Sequence, residues 1–350
     1  MSMNRTVKVT TSTKEYEVII GSGLHYGQEI ACVKNPCKAV VVSDDIVSSF
    51  YGEKCVKELE VCGFEVFTFT FPNGEKSKNL STAEKLLSFL AENGISKSDL
   101  LVALGGGVTG DLTGFVAAVY LRGMEYVQCP TTLLAAIDSS VGGKTAVDLE
   151  QGKNLVGAFH QPLRVVCDTD TFQTLPANVY SDGMAEAVKY GMIRDKELFA
   201  RFENKNYDIS DMVMRCVQIK ADIVGEDEFD TGVRKLLNFG HTVGHSVEKL
   251  SHYEIPHGSA VAIGMVVVTK AYEQAGGLDD SMSKRLIRTL QNYQLPVSCE
   301  FSLEDLAKQA ISDKKRAGNT ISVLLPEEIG NCIIQDMSME EWIAFISNAE

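Results

Sequence analysis

Residues 100–121 constrain the fold of this chain more than any other segment. Five apolar residues, Leu100–Leu104, run into the glycine-rich loop Gly105–Asp111, and a helical pattern follows to Leu121. The loop has the letters GGGVTGD, which contain the spacing G-x-G-x-x-G. Glycines let backbone N–H groups approach a pyrophosphate closely, and the N-terminus of a helix favours its negative charge. A buried strand, a glycine loop and a helix in this order predict a dinucleotide site; the alternative is a tight turn that binds no ligand.

Further strand and helix patterns surround this unit. Alternating apolar residues over 7–20 predict a β-hairpin or two short strands, and short β-rich runs predict strands at 39–43 and 65–71. The apolar spacing over 81–93 predicts a helix with Ser81 as its N-cap. Strands that alternate with helices in this way predict a parallel sheet with helices on its faces.

The pattern changes after Pro176, where long helical stretches dominate and a strand-like pair at 321–325 and 332–335 interrupts them. A chain of 350 residues is too long for one ordinary core, so two domains are expected. We predict an α/β nucleotide-binding domain at 1–176 and an all-α, or mainly helical, domain at 177–350. The helical patterns of the second half are Tyr180–Ile193, Ile209–Asp222, Arg234–Leu250, Gly258–Gln274 and Met282–Tyr293.

Composition argues against several classes of partner. The formal net charge is −14, and such a chain is not expected to bind nucleic acid or anionic membranes nonspecifically. The N-terminal residues lack the apolar stretch of a signal peptide, and the apolar run Ala260–Val268 is far shorter than the roughly 20 residues that span a bilayer. Nine cysteines without a CxxC pair indicate reduced thiols, so we expect a cytoplasmic protein.

A second glycine loop, at 139–145, has the letters SSVGGKT. Gly-Lys-Thr is similar to the end of a P-loop, but the first glycine of that motif would fall at Asp138, so the match fails. What remains is a lysine beside two glycines, Lys144, in a position that suits an anion.

Four of the six histidines fall within the seventeen positions 241–257, and three of them, His241, His245 and His257, are candidates for a site. Imidazole is the commonest metal ligand and the commonest acid or base near neutral pH, so the cluster indicates a metal or proton-transfer site rather than core or capping histidines. His241 and His245 share a helix face, which by itself suits two zinc ligands, but the glutamate of H-E-x-x-H is missing. Glu186 and Lys189, three residues apart, form either a solvent-facing ion pair or a buried pair that needs a partner or a metal.

These segments together resemble one family, the 3-dehydroquinate synthases of the shikimate pathway. The matching segments follow one another in order through nearly the whole chain. They are Gly105–Asp111, Tyr120–Gly123, Pro130–Ala135, Asp138–Asp148, Gly152–Asn154, Asp168-Thr169, Thr174–Pro176, Glu186–Gly191, Asn238–His245, His257-Gly258 and Asp313–Lys315.

The resemblance implies a carbon–oxygen lyase that converts 3-deoxy-D-arabino-heptulosonate 7-phosphate into 3-dehydroquinate and phosphate, a step of aromatic amino-acid biosynthesis. NAD oxidises the substrate transiently, phosphate is eliminated, the hydride returns, and an intramolecular aldol addition closes the carbocycle, so there is no net redox change. The resemblance also implies bound zinc, with cobalt as a substitute, and a homodimer.

The resemblance assigns roles to individual residues. Zinc would be bound by Glu186, His241 and His257. The catalytic set would be His245, Lys144, Asp138 and Asp230. The substrate would be held by Arg122 (which the homodimer would bring to a partner's site), Lys144, Asn154, Lys189, Lys220, Arg234, Asn238 and one of Lys314 and Lys315. NAD would be held by Asp44, Glu75, Lys78, Gly105, Gly106, Gly107, Val108, Asp111, Thr131, Thr132, Asp138, Lys153 and Thr174.

Three positions depart from the family pattern. Ile46 stands where asparagine is frequent, Asp230 where glutamate is frequent, and Ser259 where glutamate commonly follows His257-Gly258. None of the three belongs to the implied metal set.

Three other classes compete with this interpretation. Polyol dehydrogenases that use NAD and a metal are similar in architecture, but their neutral substrates give no reason for the basic residues Lys144, Lys153, Lys220 and Arg234. Related sugar phosphate cyclases are closer rivals, and Asn238 and the run 313–315 favour 3-dehydroquinate synthase over them. A noncatalytic NAD-binding scaffold is disfavoured, because every candidate ligand and acid–base group is present.

Overall fold

The computed structural model describes residues 4–276, 280–314 and 320–349. Within those ranges, no helix is both long enough and apolar enough to cross a lipid bilayer. The chain divides into two compact units. The first unit comprises Met1–Leu175 and Ile209–Phe229, and the second comprises Pro176–Asp208 and Asp230–Glu350.

A mainly parallel sheet forms the centre of the first unit. The strands of this unit are β1 (Arg5–Thr10), β2 (Glu15–Gly21), β3 (Lys38–Asp44), β4 (Glu65–Phe71), β5 (Leu100–Gly105), β6 (Glu125–Pro130), β7 (Lys144–Leu149), β8 (Gly152–Phe159) and β9 (Arg164–Asp168). Seven of them form one sheet in the order β1-β2-β9-β6-β5-β3-β4. The pair β1 and β2 is the predicted antiparallel hairpin, the other neighbours in this sheet are parallel, and β7 and β8 form a separate hairpin.

The helices surround the sheet in the first unit and dominate the second. In chain order they are α1 (Tyr26–Ala31), α2 (Asp45–Val47), α3 (Glu53–Val61), α4 (Leu80–Glu92), α5 (Gly107–Val119), α6 (Ala177–Arg194), α7 (Lys196–Glu203), α8 (Ile209–Glu226), α9 (His241–Leu250), α10 (His257–Gly276), α11 (Ser281–Asn292), α12 (Leu303–Lys314) and α13 (Met339–Ser347).

Alternate residues of the central strand β5 belong to two different apolar clusters. Leu100, Val102 and Leu104 pack with residues of α1 and α3, whereas Leu101 packs with residues of α4 and α5. Burial on both faces explains why this strand is apolar at every position instead of at every second one.

The predicted N-cap of α4 was wrong. Asn79 caps this helix, because its Oδ1 atom accepts a hydrogen bond from the backbone N of Thr82 at 2.9 Å, and Ser81 lies inside the first turn. Asparagine and serine are equally good caps, so the apolar pattern could not decide between them.

Helix α8 belongs to the first unit, whereas the sequence predicted a second domain that runs unbroken over 177–350. The helix packs against β1, and near its start Nη1 of Arg5 lies 2.5 Å from Oδ1 of Asp211. Just beyond its end, Glu228 accepts hydrogen bonds from Ser12 and Thr13 in the turn between β1 and β2. Apolar packing and polar contacts at both ends therefore hold α8 on the hairpin.

Within the described residues, the second unit is helical apart from the antiparallel hairpin of β10 (Thr320–Glu328) and β11 (Asn331–Ser338). The two strands of this hairpin include the strand-like segments predicted at 321–325 and 332–335. A mainly parallel α/β unit and a mainly helical unit match the predicted fold class.

Gly240 interrupts the helix that was predicted at Arg234–Leu250. This glycine lies between a 3-10 helix, Val233–Asn238, and α9, and its φ is +79°. A Cβ atom on Gly264 of α10 would lie 2.0 Å from the backbone O of Gly240, so the two segments approach each other at glycine. The prediction of one continuous helix was wrong, and the break makes His241 the first residue of its own helix.

Candidate active site

Three metal-type ligands converge in the second unit. Glu186 lies in the middle of α6, His241 is the first residue of α9, and His257 is the first residue of α10. Their ligand atoms lie within 4.8 Å of one another. The Nε2 atoms of His241 and His257 are 3.4 Å and 3.5 Å, respectively, from Oε1 of Glu186. The structure thus brings together the residues that the family resemblance implied as zinc ligands.

A hydrogen bond on the far side of each ring orients the two imidazoles. Nδ1 of His241 lies 3.2 Å from the backbone O of Phe239, and Nδ1 of His257 lies 3.4 Å from Oε2 of Glu248. A carbonyl or an ionised carboxylate only accepts, so Nδ1 donates in both rings and Nε2 faces Glu186. Two imidazole nitrogens and one carboxylate oxygen are a donor set of catalytic zinc sites with three protein ligands, so these residues fit a zinc ion.

The two imidazoles have opposite pKa shifts. Burial lowers the pKa of His241 to about 3, and the charge of Glu186 opposes this effect without overcoming it. Burial also lowers the pKa of His257, but hydrogen bonds to Glu186 and Glu248 outweigh it and raise this pKa to about 10. Near neutral pH the protein by itself therefore holds His241 neutral and keeps a proton on His257 between two carboxylates.

His245 lies one turn beyond His241 on α9 and is exposed. Its ring centroid is 5.5 Å from that of His241 and 6.2 Å from that of His257. Its ligand atom also groups with Glu248 and His257, but among the described residues no such group contains both His241 and His245. Within the described residues, the pair of His241 and His245 that spacing alone suggested therefore lacks a third ligand.

Helix α6 carries two further charged residues near Glu186. Lys189 is buried and forms an ion pair with Glu186, which excludes the solvent-facing alternative for this pair. Asp182, one turn before Glu186, accepts a hydrogen bond from the backbone N of Ser259 at 2.9 Å, and burial raises the pKa of Asp182. This bond fixes the first turn of α10 and with it His257.

Sequence reasoning missed Asp182 and Glu248. Asp182 precedes Glu186 by four residues, and Glu248 follows His241 by seven, so each shares a helix face with a predicted ligand. That spacing was the available signal, but it did not show which carboxylates are buried.

The residues implied for NAD in the first unit follow several parallel strands. Asp44 ends β3, Gly105 ends β5, Thr131 follows β6, and Thr174 ends the 3-10 helix that follows β9. The carboxyl ends of parallel strands meet at one edge of a sheet, which is where open α/β sheets bind ligands. The backbone N of Thr131 donates to the backbone O of Gly105 at 3.0 Å. Asp44 caps α2 by accepting from the backbone N of Ile46, whose side chain is exposed.

The glycine loop itself fits a pyrophosphate. Gly106 is the N-cap of α5 and has no side chain to bond the N–H groups of the first turn. A Cβ on Gly105 would lie 2.4 Å from Oγ1 of Thr109, and one on Gly106 would lie 3.0 Å from Cγ2 of Thr132. The loop therefore has no room for larger residues and leaves N–H groups for an anion. Val108 is half-buried in the first turn and packs on the cluster that contains α4.

Lys78 connects residues implied for NAD with one implied for the substrate. Its Nζ atom lies 2.6 Å from Oδ2 of Asp111 and donates to Oδ1 of Asn154 at 2.6 Å. Burial lowers the pKa of Lys78, but Asp111 and Glu75 outweigh burial and raise it. For Glu75, burial raises the pKa more than Lys78 and Lys153 lower it.

Helix α8 supplies Lys220 to the first unit. Its Nζ atom is 2.7 Å from both the backbone O and Oδ1 of Asp138. Lys220 is buried, so Asp138 fixes the position of its charge.

Each of the remaining predicted residues belongs to one of the two units. The first unit contains the exposed Arg122, Lys144 and Asn154. The second contains Asp230, the buried Arg234 and the exposed Asn238. Lys315 and the side chain of Lys314 lie outside the described part of the chain.

Two family profiles match consecutive parts of the sequence. The profile of the 3-dehydroquinate synthase N-terminal region matches residues 68–182, and the profile of the C-terminal region matches residues 183–316. A 3-dehydroquinate synthase from Clostridium acetobutylicum is 43% identical over 98% of this chain and 99% of that protein.

Solved structures of sugar phosphate cyclases have the same fold. The 2-epi-5-epi-valiolone synthase of Streptomyces hygroscopicus subsp. jinggangensis, with NAD+ and Zn2+ bound, has a TM-score of 0.87 at 25% identity, over 95% of this chain and 96% of that chain. A 2-deoxy-scyllo-inosose synthase complexed with carbaglucose-6-phosphate, NAD+ and Co2+ has a TM-score of 0.87 at 23% identity, over 98% of this chain and 99% of that chain.

Proposed function

Because this chain belongs to the 3-dehydroquinate synthase family, we propose that it converts 3-deoxy-D-arabino-heptulosonate 7-phosphate into 3-dehydroquinate and phosphate with the residues described above. The observation that carries the proposal is the convergence of Glu186, His241 and His257 in a chain that is 43% identical to a member of the family over 98% of its length. The reaction is that of a lyase in the shikimate pathway.

NAD and a divalent metal ion are the cofactors in this proposal. The open N–H groups of the Gly105–Asp111 loop and the donor set around Glu186 support them, as do the NAD+, Zn2+ and Co2+ in the similar cyclases. When bound, NAD supplies a reversible hydride acceptor, and zinc, or cobalt in its place, supplies a Lewis acid for a substrate hydroxyl.

Basic side chains bind and orient the doubly anionic substrate. Charge-assisted hydrogen bonds hold phosphate and carboxylate groups more strongly and at more defined positions than neutral ones do. The buried cations Lys189, Lys220 and Arg234 are the members of the set that lie in the least solvated surroundings. Lys144, Asn154, Asn238, Arg122 and one of Lys314 and Lys315 complete the substrate set.

His245 is the proton-transfer residue in this proposal. An imidazole suits acid–base work at neutral pH, and this ring is exposed beside the ligand set, where it can exchange protons with substrate and solvent. Lys144, Asp138 and Asp230 complete the catalytic set. Asp138 holds the ammonium group of Lys220, and this contact supports its assignment.

The chain is proposed to act as a homodimer in the cytoplasm. Leu121, Leu155 and Phe159 of the first unit are large apolar residues with 43–55% exposure, which a second copy of the chain would cover. Arg122, beside Leu121, has a φ of +62°, which is uncommon for a residue with a side chain and occurs where function or packing requires it. All nine cysteines are free thiols, as expected in a reducing compartment.

Phosphate release with a trace of NAD tests the proposed reaction. We expect many turnovers per NAD, formation of 3-dehydroquinate and no accumulation of NADH, because the hydride returns within each turnover. NADH formed in proportion to substrate would instead identify a polyol dehydrogenase. Phosphate release with a different carbocyclic product would identify another sugar phosphate cyclase.

A further inference from the structure

His257 lies between two carboxylates, and only one of them belongs to the proposed metal set. Its Nε2 atom is 3.5 Å from Oε1 of Glu186, and its Nδ1 atom is 3.4 Å from Oε2 of Glu248. The side chain of Glu248 is 5% exposed. A buried carboxylate is unfavourable unless it is bonded or paired, so its position beside the ring requires a reason.

The position of Glu248 at the end of α9 is fixed by hydrogen bonds to its backbone. It follows His241 by seven residues on α9, so both side chains lie on one face of that helix. Its backbone O accepts hydrogen bonds from the backbone N of Tyr253 at 2.6 Å and from Oγ of Ser251 at 3.0 Å, in the loop that leads to α10. One helix thus provides a proposed ligand and also the carboxylate that faces the next proposed ligand.

We propose that Glu248 is a positioning residue for the metal centre. Its carboxylate accepts the proton on Nδ1 of His257, fixes the ring and its tautomer, and so directs Nε2 towards the cation that Glu186 and His241 share. This inference rests on the proposed ligand set. For His241 the corresponding acceptor is the backbone O of Phe239, so only the His257 support can be removed by changing a side chain.

A competing role for Glu248 is direct ligation. The ligand atoms of His245, Glu248 and His257 also lie within 4.8 Å of one another. Glutamine at this position distinguishes the two roles. Its oxygen still accepts a hydrogen bond from an N–H group, so it preserves positioning, but it is a poor zinc ligand, so it does not preserve ligation.

The test is the zinc dissociation constant of the purified full-length protein, measured by competition with a chelator. Removal of an acceptor behind a metal-bound imidazole typically weakens metal affinity 10- to 100-fold. We expect that loss in Glu248→Leu and a smaller one in Glu248→Gln. The matched control is Glu273→Gln, which alters another buried carboxylate, on α10, that accepts from the backbone N of Ser283, and it should leave zinc affinity unchanged.

A spectroscopic readout separates positioning from a general loss of stability. In the zinc-loaded protein, nitrogen-15 spectra of the histidine rings should show His257 bound through Nε2 with a proton on Nδ1. The Nδ1 proton resonance should move upfield in Glu248→Gln, because an amide accepts more weakly than a carboxylate. This measurement decides the question even if Glu248→Leu does not fold.

Three outcomes would overturn the inference. One is wild-type zinc affinity in Glu248→Leu together with an unmoved His257 resonance in Glu248→Gln. Another is a zinc loss in Glu248→Gln as severe as that in Glu186→Ala, which would make Glu248 a ligand. Retention of zinc by Glu186→Ala would refute the proposed ligand set itself, and the positioning role with it.

Discussion

At the scale of single residues, partners decide what a side chain does. Two histidines of the same cluster have pKa values near 3 and near 10, because only His257 lies between two carboxylates. Partners also distinguish two buried lysines: Lys189 pairs with a carboxylate on its own helix, whereas Lys220 pairs with Asp138, which is distant in sequence. Sequence identifies such residues as candidates, and their neighbours determine the role.

The proposed division of labour among the histidines predicts different metal contents for three variants. His257→Ala and Glu186→Ala should lose zinc, because each removes one of three ligands. His245→Ala should retain zinc and lose activity by about 10²- to 10⁴-fold, the typical contribution of a general acid or base. Metal analysis of the purified, dialysed variants checks this. A zinc-free His245→Ala variant together with a zinc-loaded His257→Ala variant would instead support zinc binding by His241 and His245.

Glu228 is a buried carboxylate with a structural role in the first unit. Burial alone raises its pKa, but hydrogen bonds from Ser12, Thr13 and Gln161 outweigh burial and lower it to about 2 from the ordinary 4.5. The folded state therefore binds this proton less tightly than the unfolded state does. The resulting stabilisation is present above about pH 4.5 and is lost as the pH falls towards 2.

This shift predicts a pH-dependent effect of Glu228→Gln. The variant should be less stable than the parent near pH 6, by about 3 kcal/mol at most, and the difference should shrink as the pH falls towards 2. Urea unfolding of the full-length protein over that pH range measures the difference. Glu92→Gln, an exposed change on α4, is the control. A difference that stays constant with pH would contradict the role given to the charge.

At the scale of elements, the sequence predicted strands and helices better than it predicted where they begin. The uninterrupted apolar runs of β5 and of α10 reflect burial, which is a property of the whole element. The N-cap at Asn79 and the break at Gly240 depend on single local geometries that compete with equally acceptable alternatives. The spacing of residues in a motif cannot resolve such competition without the packing around it.

Helices α6 and α10 meet at a glycine, and this contact predicts a coupled loss of stability and metal affinity. A Cβ atom on Gly258 would lie 2.0 Å from the backbone O of Asp182, so Gly258→Ala must push the helices apart and move His257 away from Glu186. We expect destabilisation of about 1–3 kcal/mol and weaker zinc binding.

Thermal unfolding and chelator competition measure the two effects of Gly258→Ala. Gly152→Ala is the control, because its Cβ would meet only ordinary contacts, at 3.4 Å from Leu155. Wild-type zinc affinity in Gly258→Ala would show that the close approach does not position His257.

At the scale of the whole molecule, net charge and local charge differ in sign. The chain carries a formal charge of −14, yet the proposed substrate set is basic and comes from distant segments. Residue patterns alone located the glycine loop and the histidine cluster. The division of ligands from proton-transfer groups came from the family resemblance, because spacing alone favoured His241 with His245. Buried supports such as Asp182 and Glu248 required the structure.

The proposed homodimer predicts a sedimentation result. At micromolar concentration the protein should sediment as a species of twice the 38.2 kDa chain mass. Replacing Phe159, 43% exposed, with aspartate should shift it towards the monomer if this side chain is covered by a second copy, because a buried unpaired charge is unfavourable. Phe50→Asp, a change at another exposed phenylalanine of the first unit, is the control. A fully active 38.2 kDa monomer would count against the assembly.

The position of α8 in the first unit has a consequence for synthesis on the ribosome. A nascent chain that ends at Leu175 already contains the seven-stranded sheet but lacks the helix that covers β1 and supplies Lys220. Translation proceeds at roughly 5–20 residues per second, so this surface stays uncovered until the ribosome has made all of α6 and α7 and then released Ile209–Phe229. Vectorial folding of the first unit therefore cannot finish before part of the second has emerged, and a fragment cut at the apparent domain boundary is an incomplete folding unit.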